Sequence, residues 1–321
     1  MYLLLALLAF VTPGKTAKKT APPADSRCAA SGSPMTEAEA SRVFEELREN
    51  ARKDNPIEVL RSPKSLDDVL EILRRDQIDL FADGIAFAQK ESSPQALVLE
   101  AQLELAWGES MVMVAQLLEQ QFTEVAMQSL QRRARVAMGQ TGADESALMA
   151  SLSERLQRAK RYSDAMWVLA PLHIARGAKL TEKILQAMPD EYHGYRVAAD
   201  YYRLRADWLN FDRMVDQVNK RKPDSTGLAF LLGVALVDRY GQRDAGQLKL
   251  EEALKSDPKF AKAQAMLLLL ADTPQSRFEA LQKLHGINPA HQLVYFVGPS
   301  IAATYDAWKA QGGSPRTGTD L

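Results

Sequence analysis

Cys28 is the only cysteine in this 321-residue chain. No intramolecular disulfide and no thiolate metal cluster can be built from it, which excludes a small disulfide-stapled secreted module. Histidine is almost as scarce, with only His173, His193, His285 and His291. None lies four residues from another, the spacing that sets two metal ligands on one helix face. Net charge is close to nil: 40 basic and 41 acidic side chains leave a formal −1. That balance gives no general attraction to nucleic acid or to an anionic membrane. The apolar run Leu3–Val11 falls well short of the about 20 residues that span a bilayer. Alternating apolar and polar residues, the mark of half-buried strands, do not occur, and few glycines interrupt the periodic stretches. What is present is 46% apolar and 25% charged residues, ample for a packed core.

Leu3–Val11 has the length of a signal-peptide core and is closed by Pro13-Gly14. Only Met1 and Tyr2 precede it, without positive charge, while Lys15, Lys18 and Lys19 follow. Residues 1–14 are therefore expected to be a signal-peptide-like segment. The expected address is the bacterial periplasm or cell envelope, with the cytoplasm as the alternative. Residues 15–34, rich in Pro, Lys, Thr, Ala and Ser, are expected to be a disordered linker. Asp25-Ser26-Arg27 lacks the small and aliphatic residues of a lipoprotein signal, so lipidation of Cys28 is not the favoured reading.

Helices are expected from Thr36 onward. Thr36 and Glu39 have capping-box spacing, and Ala40, Val43, Phe44 and Leu47 fall on one face of a helix running to about Lys53. After a connector with Pro56 and Pro63, Ser65 is placed to cap a helix striped by Leu66, Val69, Leu70 and Leu73. Further helices are expected over Ile78–Lys90, from Ser93-Pro94 to Trp107-Gly108, from Ser110 to Gly139, and over Ala147–Arg161. Residues 35–157 thus read as a helical N-terminal region, either worn repeats or a different helical cap. The class is all-α.

Prolines at 189, 223, 258 and 289 are spaced by 34, 35 and 31 residues, each closing a segment expected to form two helices. In residues 192–225, Tyr195, Ala198, Ala199 and Tyr202 mark the first helix and Phe211, Val215, Val218 and Pro223 the second. Residues 226–259 repeat the register with Ala229, Leu232, Gly233 and Leu236, then Gly246, Leu250, Ala253 and Pro258. Over these segments the chain resembles the tetratricopeptide repeat family. The resemblance implies an α-α superhelix, a solenoid over residues 158–310. Val294–Trp308 is expected to cap its open end and 311–321 to be a flexible tail.

In the resembled family the first helices line a concave groove that grips peptides. His193, Arg196, Asp200 and Arg203 hold that line in one repeat, and Phe230, Val234 and Val237, with Gly227, in the next. The resemblance implies that the arginines pair with carboxylates of a bound peptide. The plainer alternative is that Arg196 and Asp200 form an i, i+4 surface pair. Other motifs lead nowhere. Gly14-Lys15-Thr16 lacks the earlier glycine of a phosphate-binding loop, and Ser256 and Lys259 lack partner motifs. The Tyr192, Tyr195, Tyr201, Tyr202, Trp208 and Phe211 cluster has the spacing of inter-helix packing. The function expected is a non-enzymatic scaffold for a protein or peptide partner, without cofactor, metal, nucleic acid or membrane span. A cytosolic repeat adaptor and a solenoid-based cell-wall enzyme are the rivals. Nucleic-acid binding through Arg132, Arg133 and Arg135 is a third.

Overall fold

The computed structural model describes residues 35–54, 63–137 and 145–311. The signal-like segment 1–14, the linker 15–34 with Cys28, the tail beyond 311 and the Arg132, Arg133 and Arg135 side chains lie outside the described residues. Among the described residues there are twelve α-helices, one 3-10 turn at Ile78–Leu80 and no strand. The helices are α1 (Glu37–Asp54), α2 (Leu66–Arg74), α3 (Phe81–Lys90), α4 (Pro94–Ala137), α5 (Glu145–Ala187) and α6 (Tyr192–Leu204). They continue as α7 (Trp208–Arg221), α8 (Thr226–Asp238), α9 (Arg243–Ser256), α10 (Ala261–Leu270), α11 (Pro274–Ile287) and α12 (Gln292–Ala310). None of the described helices is long and apolar enough to cross a membrane.

The chain divides into two compact units. One takes the described residues of Thr16–Asn55 and Trp107–Ile174, the other those of Pro56–Ala106 and Ala175–Leu321. In the first, α1 opens with the expected capping box: the Glu39 carboxylate accepts from the Thr36 N–H at 2.9 Å, and Thr36 Oγ1 accepts from the Glu39 N–H at 3.3 Å. Val43 and Phe44 are buried, and the Phe44 ring lies 5.9 Å from Trp107. Tyr162 donates to Glu46 across from α5 at 3.1 Å, and Trp167 Nε1 donates to Glu119 at 2.6 Å.

Two expected helix ends do not exist. The helix starting at Pro94 runs through Trp107-Gly108, and the helix expected to end at Arg161 continues as α5 through Pro171, so the segment closed by Pro189 is one long helix and not a pair. The boundary expected between residues 157 and 158 falls inside α5. Gly108, where a helix end was expected, has another role. A Cβ at Gly108 would lie 2.6 Å from Ile174 Cγ1 and 3.0 Å from the Ala170 carbonyl, so this glycine lets α4 and α5 touch backbone to backbone. Pro171 is exposed, where a missing helix hydrogen bond is least costly.

The second unit holds the repeats. Helices pack as consecutive hairpins, α6 on α7, α8 on α9 and α10 on α11, with α12 laid on α11. First helix meets first helix where α8 packs on α6, and α10 packs on α9. This packing is consistent with a helical solenoid. Local sequence supports each hairpin. Asp207 Oδ1 caps α7 by accepting from the Asn210 N–H at 3.2 Å, and Ser225 caps α8 through the Leu228 N–H at 3.1 Å. Phe211, Val215, Val218, Leu228 and Leu231 form one core cluster between hairpins, with Tyr192, Tyr195, Tyr202 and Trp208 packed against it. Apart from Tyr201, which only borders Tyr202 and Arg205, the aromatic cluster is packing, as its spacing predicts.

Candidate functional site

The repeats are joined by one recurring turn. The residue before each proline is pushed toward extended backbone by the proline ring, which ends the helix there. Lys222 adopts φ −151°, ψ 75°, Asp257 −139°, 89°, and Asn288 −146°, 98°. Their N–H groups still donate into the helix, to Val218, Ala253 and Leu284 at 2.8, 2.9 and 2.9 Å. Their carbonyls accept from the third residue on, Ser225, Phe260 and His291, at 3.4, 3.1 and 3.1 Å. The same turn follows α5, where the Met188 carbonyl accepts from Glu191 at 3.2 Å. With one backbone geometry, Lys222, Asp257 and Asn288 leave their helix ends in the same direction.

Two of these turns hold the end of α2. Arg74 presents its guanidinium edge to Asp257, Nε donating to Oδ2 at 2.8 Å and Nη2 to Oδ1. Lys259 Nζ reaches Glu71 Oε1 at 3.4 Å. At the next turn Asn288 Nδ2 donates to the carbonyls of Arg75 and Asp76 at 2.9 and 3.2 Å, while its Oδ1 accepts from the Ala290 N–H at 3.0 Å. Asp76 stands in the left-handed region, φ 51°, and its N–H donates to the Leu73 carbonyl, closing the helix. Its buried carboxylate accepts from Gln292 Nε2 at 3.3 Å and lies 3.2 Å from His291 Nε2. The latter contact is poorly aligned, for Asp76 Oδ1 and His291 Nε2 both lack a hydrogen bond. His291 Nδ1 accepts from the Leu293 N–H at 3.1 Å, capping α12.

Burial works to raise the Asp257 carboxyl, but hydrogen bonding and charge from Arg74 outweigh it and hold it below the usual aspartate range. Glu71 is likewise lowered against burial, by Arg75 and Lys259. A carboxylate lowered in the folded state adds stability above its unfolded pKa, and that stability is lost as pH falls through the folded value. Stability should therefore drop on acidification below the ordinary carboxylate range. Arg74→Ala should flatten this acid limb, which urea midpoints measured from neutral pH to about pH 2 will show. An acid limb unchanged by Arg74→Ala would contradict the assignment.

The residues expected at the partner site divide into two sets. Arg196 lies across the start of α8, where a Cβ on Gly227 would sit 2.7 Å from its Cδ. Among the described residues it has no carboxylate partner, so the alternative Arg196–Asp200 pair does not form. Asp200 instead pairs with Arg203, at 3.4 Å, and the Arg203 side chain is only 7% exposed. His193 is half-buried, 3.9 Å ring to ring from Tyr192. Burial, then the charges of Arg196 and Lys222, push its imidazole down, against a small upward pull from Glu191. His193 thus shares a neighbourhood with two cations, Arg196 and Lys222, which disfavour its own protonation.

The apolar stretch needs correction. Phe230, Val234 and Val237 are 5%, 1% and 7% exposed and belong to a core with Leu250, Phe260 and Leu270. The Phe230 ring packs on Phe260 at 5.0 Å. Nine residues of α8 are buried, because the helix is apolar around its whole circumference and has neighbours on every side. These three side chains hold the hairpins together and offer nothing to a partner. Sequence reasoning also passed over Lys222, Asp257, Lys259, Asn288 and His291, treating the prolines beside them as punctuation. The polar residue before Pro223, Pro258 and Pro289 was the available signal. A comparison with protein-family models found no match, and a comparison with curated proteins found none either.

Proposed function

We propose that this protein is a non-enzymatic, tetratricopeptide-like scaffold that binds a protein or peptide partner on its C-terminal repeats. One observation carries the reading: consecutive hairpins pack hairpin on hairpin and keep a half-buried arginine, Arg196, without a carboxylate partner among the described residues, near His193 and Lys222. A guanidinium without a carboxylate partner, near a second cation at Lys222, favours a carboxylate from outside. The Leu3–Val11 run supports the cell envelope as the place of action.

The test is crosslinked affinity capture from source cells by the native chain and two variants. Arg196→Glu should fold normally and lose most of the captured partner. Arg203→Glu should instead destabilise the chain by about 3 kcal/mol, since it sets a carboxylate beside Asp200 in a mostly buried place. Undiminished capture by a folded Arg196→Glu variant would remove the carboxylate-binding role. Accumulation of the chain with Leu3–Val11 intact in the cytoplasm would remove the proposed address.

A further inference from the structure

The chain binds one of its own helices through a repeat turn, and an adjacent turn of closely similar backbone geometry carries the opposite charges. At Asp257-Pro258-Lys259 the residue before the proline takes Arg74, and the residue after it takes Glu71. These two ligand residues stand three apart on α2, hence on one face of it. The turn before it in the stack reads Lys222-Pro223-Asp224. Lys222 and Asp257 share their backbone conformation, their N–H bond into the preceding helix and their carbonyl bond to the next cap. The two turns present the same pair of positions with the signs exchanged.

The Lys222 turn is open. Lys222, Pro223 and Asp224 are all exposed. Among the described residues neither Lys222 nor Asp224 has an ion-pair partner. Lys222 Nζ rests 4.7 Å over the Tyr192 ring and 3.5 Å from its hydroxyl, which holds the ammonium at the surface. Arg221 fixes the platform by donating to the carbonyls of Pro189 and Asp190, both at 3.1 Å, so the Lys222 turn is tied to the turn before it.

We propose that Lys222-Pro223-Asp224 is a docking site for a helix of a partner protein that carries lysine or arginine and, three residues later, aspartate or glutamate. Lys222 takes the carboxylate in the place where Asp257 takes Arg74. Asp224 takes the base in the place where Lys259 takes Glu71. Arg196, close enough to share with Lys222 the depression of the His193 imidazole, adds positive charge near the carboxylate. The proposal rests on the scaffold reading above and names the partner's chemistry.

The probe is a helix-stapled fluorescent peptide copied from residues 64–80 with Glu71→Lys and Arg74→Glu, read by anisotropy against the full chain. The unaltered 64–80 peptide is the control. At its own turn the control competes with tethered α2, whose effective concentration is high. The charge-exchanged peptide should bind about tenfold more tightly than the control, the size expected of two exposed ion pairs in concert. In the Lys222→Asp, Asp224→Lys double variant the preference should invert. Both positions are exposed, so circular dichroism and the melting temperature should match the native chain. Equal affinity for the two peptides, or a preference that survives the double variant, would overturn the proposal. So would sedimentation showing that the native chain self-associates and the double variant does not, since the occupant would then be a second copy. Cellular capture that continues while the peptides show no preference would sink this site and leave the scaffold reading standing. Loss of all cellular capture with the peptide preference intact would do the reverse.

Discussion

Replacing Gly246 by valine should cost about 3 kcal/mol of stability. A Cβ there would lie 2.4 Å from Val237 Cγ2 and 2.9 Å from the carbonyl oxygen of Gly233. The second contact is backbone, which no rotamer change relieves. On the facing helix, a Cβ at Gly233 would meet Leu250 Cγ at 3.0 Å and the Gly246 carbonyl at 3.1 Å. The two glycines therefore set the distance between α8 and α9, and through it the packing of Leu250 and Ala253, both fully buried. A side chain at 246 pushes the helices apart and opens that core. Even Gly246→Ala should destabilise, although alanine is the better helix former by about 1 kcal/mol. The contrast is Gly286 on α11, where an added Cβ meets nothing within 4 Å. Gly286→Ala should stabilise by about 0.5 kcal/mol. Urea titration of the variants decides the matter: a Gly246→Ala change with the same sign as Gly286→Ala would show that the close approach is not real.

Asn288→Ala should cost a similar amount, about 3 kcal/mol, for a different reason. The Asn288 amide satisfies two carbonyls at the end of α2 and one N–H of its own turn, and the residue is buried. Truncation leaves those groups without partners where water is scarce, at about 1–3 kcal/mol each before relaxation. The loss should be local first. Amides of Asp76 and Gln77, which donate to Leu73 and Ile72, should exchange faster, while those within the α6–α7 hairpin keep their protection. Asn288→Asp should be no milder, because a carboxylate would face two carbonyl oxygens. A variant within about 0.5 kcal/mol of native, with α2 amides unchanged, would mean that the turn does not hold α2.

Much of the local architecture was legible in the residue order. Caps at Thr36, Ser65 and Ser93 form as their spacing predicts, Ser65 and Ser93 accepting from Asp68 and Ala96 N–H groups at 3.2 and 3.1 Å. The prolines at 223, 258 and 289 each end a helical pair, since a proline acts on the residue beside it whatever the rest of the chain does. Glycine was less readable. Gly108 stands where a helix end was expected and instead marks a contact with α5, a distinction that depends on a neighbour over sixty positions away. The environment of the residues expected to bind a partner was not legible. Arg196 and His193 are half-buried, Arg203 turns inward to Asp200, and Phe230, Val234 and Val237 are core. An apolar stripe on a helix has the same pattern whether it faces a groove or another helix.

Helix class, caps and the punctuation between repeats were written in the order of residues, because each depends on contacts within a few positions along one strand of backbone. The grip of two repeat turns on α2 was not, since it joins groups 183 to 216 positions apart. Only the folded chain decides which polar side chains are already engaged. It leaves Lys222 and Asp224 exposed, on a backbone turn like the engaged one at Asp257, with no ion-pair partner among the described residues.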